Sequence, residues 1–432
     1  GADAGFMTRL EAFVDVIRSH KDGVVKEPYE IKNAAVKMSD FKDRTILVPP
    51  MHPAGTNLFA AAFRGFGMNA RALDVETRED FEIGKRYCRG SECIPACSTI
   101  GKFISELEKG DIEKPAFFMP TASGPCRFGQ YSTLHRIILN RIGRDDVPIF
   151  SWSSENAYEG QGIKERRILW NAILMSDILF KLRCKVKPYE RNAGETAGLF
   201  NASLRGLEKG FEKGDVPLKE FKKIIGAFRR IETVESEKPL VGIVGEIYVR
   251  CNPFSNQYII ETIEEAGGEA WLAPISEWIL YTSYVEANLY KGKFDLGALL
   301  KNRFMKNDEE ELYDLCGDIL GDRHEPSIEE NIAAGRDYFP LEFEGESILT
   351  IGRALKFVEQ GVDFVINCSP FSCMHGNLTA AVFQQIETKL GVPVINVFYD
   401  GEREVNGVIR SVVKNRGRER LTAVETQTTS GL

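Results

Sequence analysis

The chain has 432 residues, with 55 Lys and Arg against 63 Asp and Glu for a formal net charge of -8, and 43% of it is hydrophobic. That balance excludes a nonspecific grip on nucleic acid or on an anionic membrane surface, and the length suits roughly two to three domains. The longest apolar runs, "KPAFFMP" and "DFVINCSPF", fall far short of the roughly 20 residues of a membrane span. The start "GADAGFMTRLEAF" has no secretory pattern, so a cytoplasmic location is expected, with the nine cysteines unpaired in a reducing compartment.

Residues 1–40 read as an N-terminal helical extension, with a helix from Met7 to Ile17 followed by a polar tether. A first α/β domain is expected over 41–157. It has a strand in "DRTILVPPM", a Gly-closed helix in "NLFAAAFRGFGM", and strands in "NARALDV" and "KPAFFMP". Over 158–236 the amphipathic segments "RILWNAILMSDILFKLR" and "LKEFKKIIGAFRRIETV" predict a helical insertion or cap. A second α/β domain, 237–432, opens with "KPLVGIVGEIYVR" and carries its own helical insertion over about 278–345. It resumes with "ILTIGRALKFVEQG", "VDFVIN", "LTAAVFQQIETKLG" and "VPVINVFYD". Continuously apolar strands alternating with helices predict parallel sheets covered on both faces, hence two Rossmann-like domains. Ligands of such sheets sit at the carboxyl ends of the strands.

The cysteines concentrate where such a site would lie. Cys88, Cys93 and Cys97 fall in "CRGSECIPAC" before a helix, and Cys126 falls in "PTASGPCRFGQ" between a strand and a helix. Cys368 and Cys373 follow the strand "VDFVIN". These six read as loop residues, whereas Cys184, Cys251 and Cys316 read as spare. A free cysteine is often a small buried apolar residue, but packing alone explains poorly why six gather beside Gly and Pro. The spacings C-x4-C-x3-C and C-x4-C do not suit structural zinc, which favours short local pairs. Thiolates drawn from distant loops suit an iron–sulfur cluster, each beside a helix N-terminus that stabilises its charge. Cys373, with Cys368, would supply ligands from the second domain to a cluster between the domains.

The stretches "GSECIPACSTIGKF", "FFMPTASGPCRFGQY", "GIVGEIYVRCNPFSN", "APISEWILY" and "INCSPFSCMHGNLTAAV" with "VPVINVFYDG" resemble the 2-hydroxyacyl-CoA dehydratase and benzoyl-CoA reductase superfamily. The likeness runs from roughly Asp43 to Arg410 and looks closest to the modules acting with the activases of those enzymes. It implies a low-potential cluster on Cys93, Cys126 and Cys373, either a [4Fe–4S] cubane or, as in the double-cubane cluster proteins, an 8Fe–9S pair. Cys88, Cys97 and Cys368 are then further candidate ligands. It also implies an ATP-hydrolysing iron–sulfur activase as electron donor, and a homodimer or a homologous module as companion. ATP binding belongs to the partner, since no G-x-x-x-x-G-K-[ST] loop is present here. The expected activity is reduction of a small substrate. A radical 2-hydroxyacyl-CoA dehydratase subunit, binding an acyl-CoA with no net reduction, and a non-catalytic electron-transfer or cluster-scaffold partner both stay open.

Among other polar residues, Glu246 could move a proton near a strand end, or cap a loop. His375, two residues past Cys373, could relay protons or make a structural hydrogen bond. Ser123 and Gly124 could donate to a cluster or simply form a turn, and Arg127 could pair with an anionic cluster or a CoA phosphate. Asp400 and Glu402 read as a turn. "GFMTRLEAF" echoes "NGVIRSVV", which would make residues 1–20 the remnant of a preceding module.

Overall fold

The computed structural model describes residues 10–11, 13–15, 17–18, 41–122, 124–151, 162–290 and 296–430. Most of the expected N-terminal extension lies outside them, as does Ser123. Strands β1 (Thr45–Val48), β2 (Asn69–Ala72), β3 (Pro115–Phe118) and β4 (Ile149–Phe150) form one sheet in the order β2-β1-β3-β4. Strands β5 (Leu240–Gly245), β6 (Glu269–Leu272), β7 (Phe364–Pro370) and β8 (Val394–Tyr399) form a second, ordered β6-β5-β7-β8. Every pairing is parallel. The protein is thus a mixed α/β fold with two four-stranded parallel sheets among helices. The two-residue β4 escaped the sequence reading because "IF" is too short to show a pattern.

The strands form because their apolar, often β-branched residues have no wet face. β5 ("LVGIVG") and β7 ("FVINCSP") are buried along their whole length, as parallel strands covered by helices on both sides must be. The helix Ser347–Glu359 lies so close to β5 that a Cβ on Gly242 would stand 2.8 Å from the Phe357 ring. β7 runs through Cys368, which pairs with Gly245 on one side and Val397 on the other. Cys368 is therefore a strand residue, not the loop residue expected, because the ladder continues to Pro370. Cys97 is likewise inside a helix, Ile94–Lys109, which starts right after Cys93.

The carboxyl ends of the two sheets meet. Asn252, shortly past β5, donates to the Pro50 carbonyl (2.7 Å) beyond β1 and to Glu76 Oε2 (2.8 Å) beyond β2. The Tyr248 hydroxyl donates to Glu76 as well. On the β8 side, Gly401 lies against the Phe81 ring of the helix Arg78–Tyr87, where a Cβ would come within 2.6 Å. Glu402 pairs with Arg78 and Lys85 of that helix. Asp400 Oδ1 accepts from the Glu402 and Arg403 amides, which makes the expected turn.

The helix Ile163–Val186 packs on both the first-sheet helix Pro53–Gly65 and strand β6. Instead of a polar outer face, it buries Asp177, Lys181 and Arg183. Lys181 finds Glu325, and Arg353 reaches the other oxygen of Glu325 at 2.6 Å. Asp177 Oδ2 accepts the Ser276 amide at 2.8 Å, yet burial still pushes its carboxyl up to about 6. A carboxyl raised from 3.8 in this way lends the fold stability that is complete below its ordinary value and is lost as pH rises through the folded one. Asp177→Asn keeps an acceptor for Ser276 and removes the charge. In chemical unfolding it is expected to be about 1–3 kcal/mol more stable than the wild type near neutral pH, a gain that shrinks toward zero near pH 4.

Candidate functional site

Three loops at the sheet ends each present one thiol at the start of a helix. Cys93 is the N-cap of Ile94–Lys109, Cys126 precedes the short helical turn Arg127–Gln130, and Cys373 is the N-cap of Met374–Leu390. Each loop is built for this. In the first, Glu92 Oε2 accepts from the Arg89 (2.8 Å) and Ser91 (3.2 Å) amides, and Gly90 takes a left-handed φ of 89°. In the second, Thr121 Oγ1 donates to the Gly129 carbonyl at 2.8 Å, and a Cβ on Gly129 would lie 2.3 Å from the Ala122 carbonyl oxygen. The loop thus folds back on itself with Cys126 near its far end. In the third, Ser372 adopts φ 61° and the Gly376 amide donates to Cys373 Sγ at 3.4 Å.

These thiols share one region at the junction of the two sheets. Cys373 lies close enough to Cys93 and to Cys126 for their charges to interact. The Tyr131 hydroxyl sits against Cys93 Sγ, both buried. Glu246 and Glu346 stand beside the same thiols. Glu246 caps the helix Ile247–Cys251 by accepting from the Tyr248 (3.1 Å) and Val249 (2.9 Å) amides, so the capping role holds whatever else it does. Glu346 Oε2 accepts the Ile247 amide at 3.2 Å. Burial raises both carboxyls, and the charge of Glu246 helps push Glu346 up to about 8, so the pair retains a proton at neutral pH. Burial also pushes the Cys373 thiol up to about 12 and raises Cys93 and Cys126.

His375 is buried and neutral, its titration pushed down to about 4 by burial; its Nδ1 lies 3.0 Å from Ser347 Oγ. Gly345, at φ 73°, leaves the space that its ring fills. Gly124 takes φ 102°, the turn conformation expected of it.

Arg127 ties the three loops together. It follows Cys126, and its guanidinium donates to the Ser91 carbonyl of the Cys93 loop and to the Ser372 carbonyl (3.1 Å) of the Cys373 loop. One planar fork spans two carbonyls from loops of different sheets, which a lysine ammonium cannot imitate. Arg127→Ala is expected to speed alkylation of Cys93 and Cys126 about fivefold, as loss of about 1 kcal/mol of local bonding frees the loops. The global unfolding midpoint should barely move, and Arg127→Lys should not rescue the protection.

Of the other three singled-out thiols, Cys88 lies close enough to Cys93 for their charges to interact. Cys368 faces an apolar cluster that includes Tyr399 and Cys97, and Cys88 packs against the same cluster. Cys184, Cys251 and Cys316 are buried with their thiols pushed up to about 12. Glu346 and Tyr131 were not found from sequence. "EGES" bears no motif, and the tyrosine of "GQY" reads as a helix start.

Among the described residues no three His, Cys, Asp or Glu side chains close around a single ion. A lone zinc needs thiolates about 2.3 Å from one centre, whereas a polynuclear cluster accepts them at wider spacing. The donor set fits such a group: three thiols, two buried and one half-buried, all raised by burial and beside two carboxyls, suit a cationic, thiophilic partner. No helix among the described residues is long and apolar enough to cross a membrane. No model of a known protein family matches the chain, and no curated protein matches it either.

Proposed function

We propose that this chain is the iron–sulfur component of an ATP-dependent low-potential reductase system, accepting electrons from an ATP-hydrolysing activase and reducing a small substrate. The observation that carries the reading is the convergence of Cys93, Cys126 and Cys373, from three loops and both sheets, on one region where Cys93 and Cys373 are buried and Cys126 is half-buried. The shared strand order, second-first-third-fourth, supports two Rossmann-like domains with the cluster at their junction. A cytoplasmic setting and a companion copy or homologous module belong to the same reading.

Cys93, Cys126 and Cys373 would hold the cluster, which supplies one-electron chemistry at low potential when bound. The chain's own residues do the rest. The Gly376 amide and the Tyr131 hydroxyl donate toward ligand sulfurs, which offsets negative charge there. Glu346 and Glu246 hold a proton between them at neutral pH, and a reduction needs a proton beside the electron. Neutral His375 fixes the Ser347 end of the Glu346 segment through its Nδ1.

Iron and acid-labile sulfide per chain, measured on protein purified without oxygen, test this directly. About four irons, with a low-temperature EPR signal on reduction, are expected. About eight would extend the ligand set to Cys88, Cys97 and Cys368, and a folded chain that takes up none would overturn the proposal.

A further inference from the structure

Cys88 closes the helix Arg78–Tyr87, and Cys97 lies in the first turn of Ile94–Lys109. These helices pack backbone to backbone, since a Cβ on Gly84 would stand 1.9 Å from the Cys97 carbonyl oxygen. The two side chains therefore meet at one apolar cluster, close enough for their charges to interact. Phe81 and Ile94 pack around Cys97, and Tyr87 lies beside Cys88. Cys97 is buried, whereas Cys88 is partly open to solvent. We infer that Cys88 and Cys97 form a redox-active dithiol, a site of reversible disulfide formation whose oxidant is a low-molecular-weight disulfide.

The chemistry balances in two exchanges. The Cys88 sulfur, on the open side, loses its proton and attacks the small disulfide, forming a mixed disulfide and releasing one small thiol. Cys97 then loses its proton and attacks the Cys88 sulfur, forming the Cys88–Cys97 bond and releasing the second small thiol. Two protein thiols are oxidised and one small disulfide is reduced to two thiols. Closing the bond staples the ends of the segment 88–97, with Cys93 inside the ring, so oxidation fixes the loop that carries the first thiol of the candidate site.

The pair needs no metal, so its test is run on the full iron-free chain. The reduced protein is treated anaerobically with oxidised glutathione, then mapped by mass spectrometry after alkylation. The expected result is a loss of about 2 Da, two fewer alkylated thiols than the nine of the sequence, and a peptide linking Cys88 to Cys97 that dithiothreitol reverses. Cys88→Ser should lose the link while its other thiols stay alkylatable. Absence of the link, or a link from Cys88 to Cys93, overturns the inference. A parallel sample reconstituted with iron separates the two readings. A chain that forms the link yet binds no iron keeps the dithiol and loses the cluster. A chain that binds about eight irons and shields Cys88 and Cys97 from alkylation makes them ligands and overturns the dithiol.

Discussion

Serine at Cys93, Cys126 or Cys373 is expected to cut the iron retained after anaerobic reconstitution to less than about a tenth of the wild-type amount, whereas Cys368→Ser leaves it unchanged. The contrast follows from where the sulfurs lie. The first three begin helices in loops that meet at the junction of the two sheets, while Cys368 sits in mid-ladder on β7, facing an apolar cluster with Tyr399. Serine suits this test because it is the same shape and a good N-cap. At Cys373 it can accept the Gly376 amide as the sulfur does, so folding should change by less than about 1 kcal/mol. Iron and sulfide assays beside a thermal melt therefore separate ligand loss from unfolding. Equal iron in all four variants would sink the assignment of ligands.

Much of the scaffold was legible because it depends on local pattern. "TILV" and "LVGIVG" have no polar face and so announce buried parallel strands, and the thiols at Cys93, Cys126 and Cys373 are marked by the helices that follow them. What escaped depends on distance in sequence. Glu346 matters only because the Ile247 amide and Glu246, some 100 residues earlier, come to it. Arg127 was visible as a charge next to a cysteine, but its two carbonyl partners sit in other loops and no spacing reveals them. Cys368 was misplaced for a different reason. "NCSP" looks like a loop by composition, and only pairing with β5 and β8 carries the strand through it. Cys97 was read as lying before a helix that in fact starts at Ile94, with Pro95 in its first turn, where the missing N–H of proline costs nothing.

Gly245→Ala is expected to destabilise the chain by about 3 kcal/mol or more, and to lower iron retention in whatever fraction remains folded. Gly245 ends β5 at φ 121°, a conformation that L side chains rarely adopt, and a Cβ there would lie 1.9 Å from the Cys368 carbonyl oxygen. That carbonyl accepts the Glu246 amide at 2.9 Å, so the glycine sets both the close approach of β5 to β7 and the direction in which the chain leaves toward Glu246. The obstacle is backbone held by ladders on both sides, which cannot rotate away. Gly242→Ala is the comparison. Its φ is ordinary and its new methyl would meet the Phe357 ring at 2.8 Å, a side chain on a helix that can shift a few tenths of an ångström. A cost of about 1–2 kcal/mol is expected there, with iron retention unchanged. Unfolding curves for the two variants, read with their iron content, decide whether the strand end positions the carboxyl pair. If Gly245→Ala proved no costlier than Gly242→Ala, the turn into Glu246 would have to be set by the helix it caps, Ile247–Cys251, and not by the sheet.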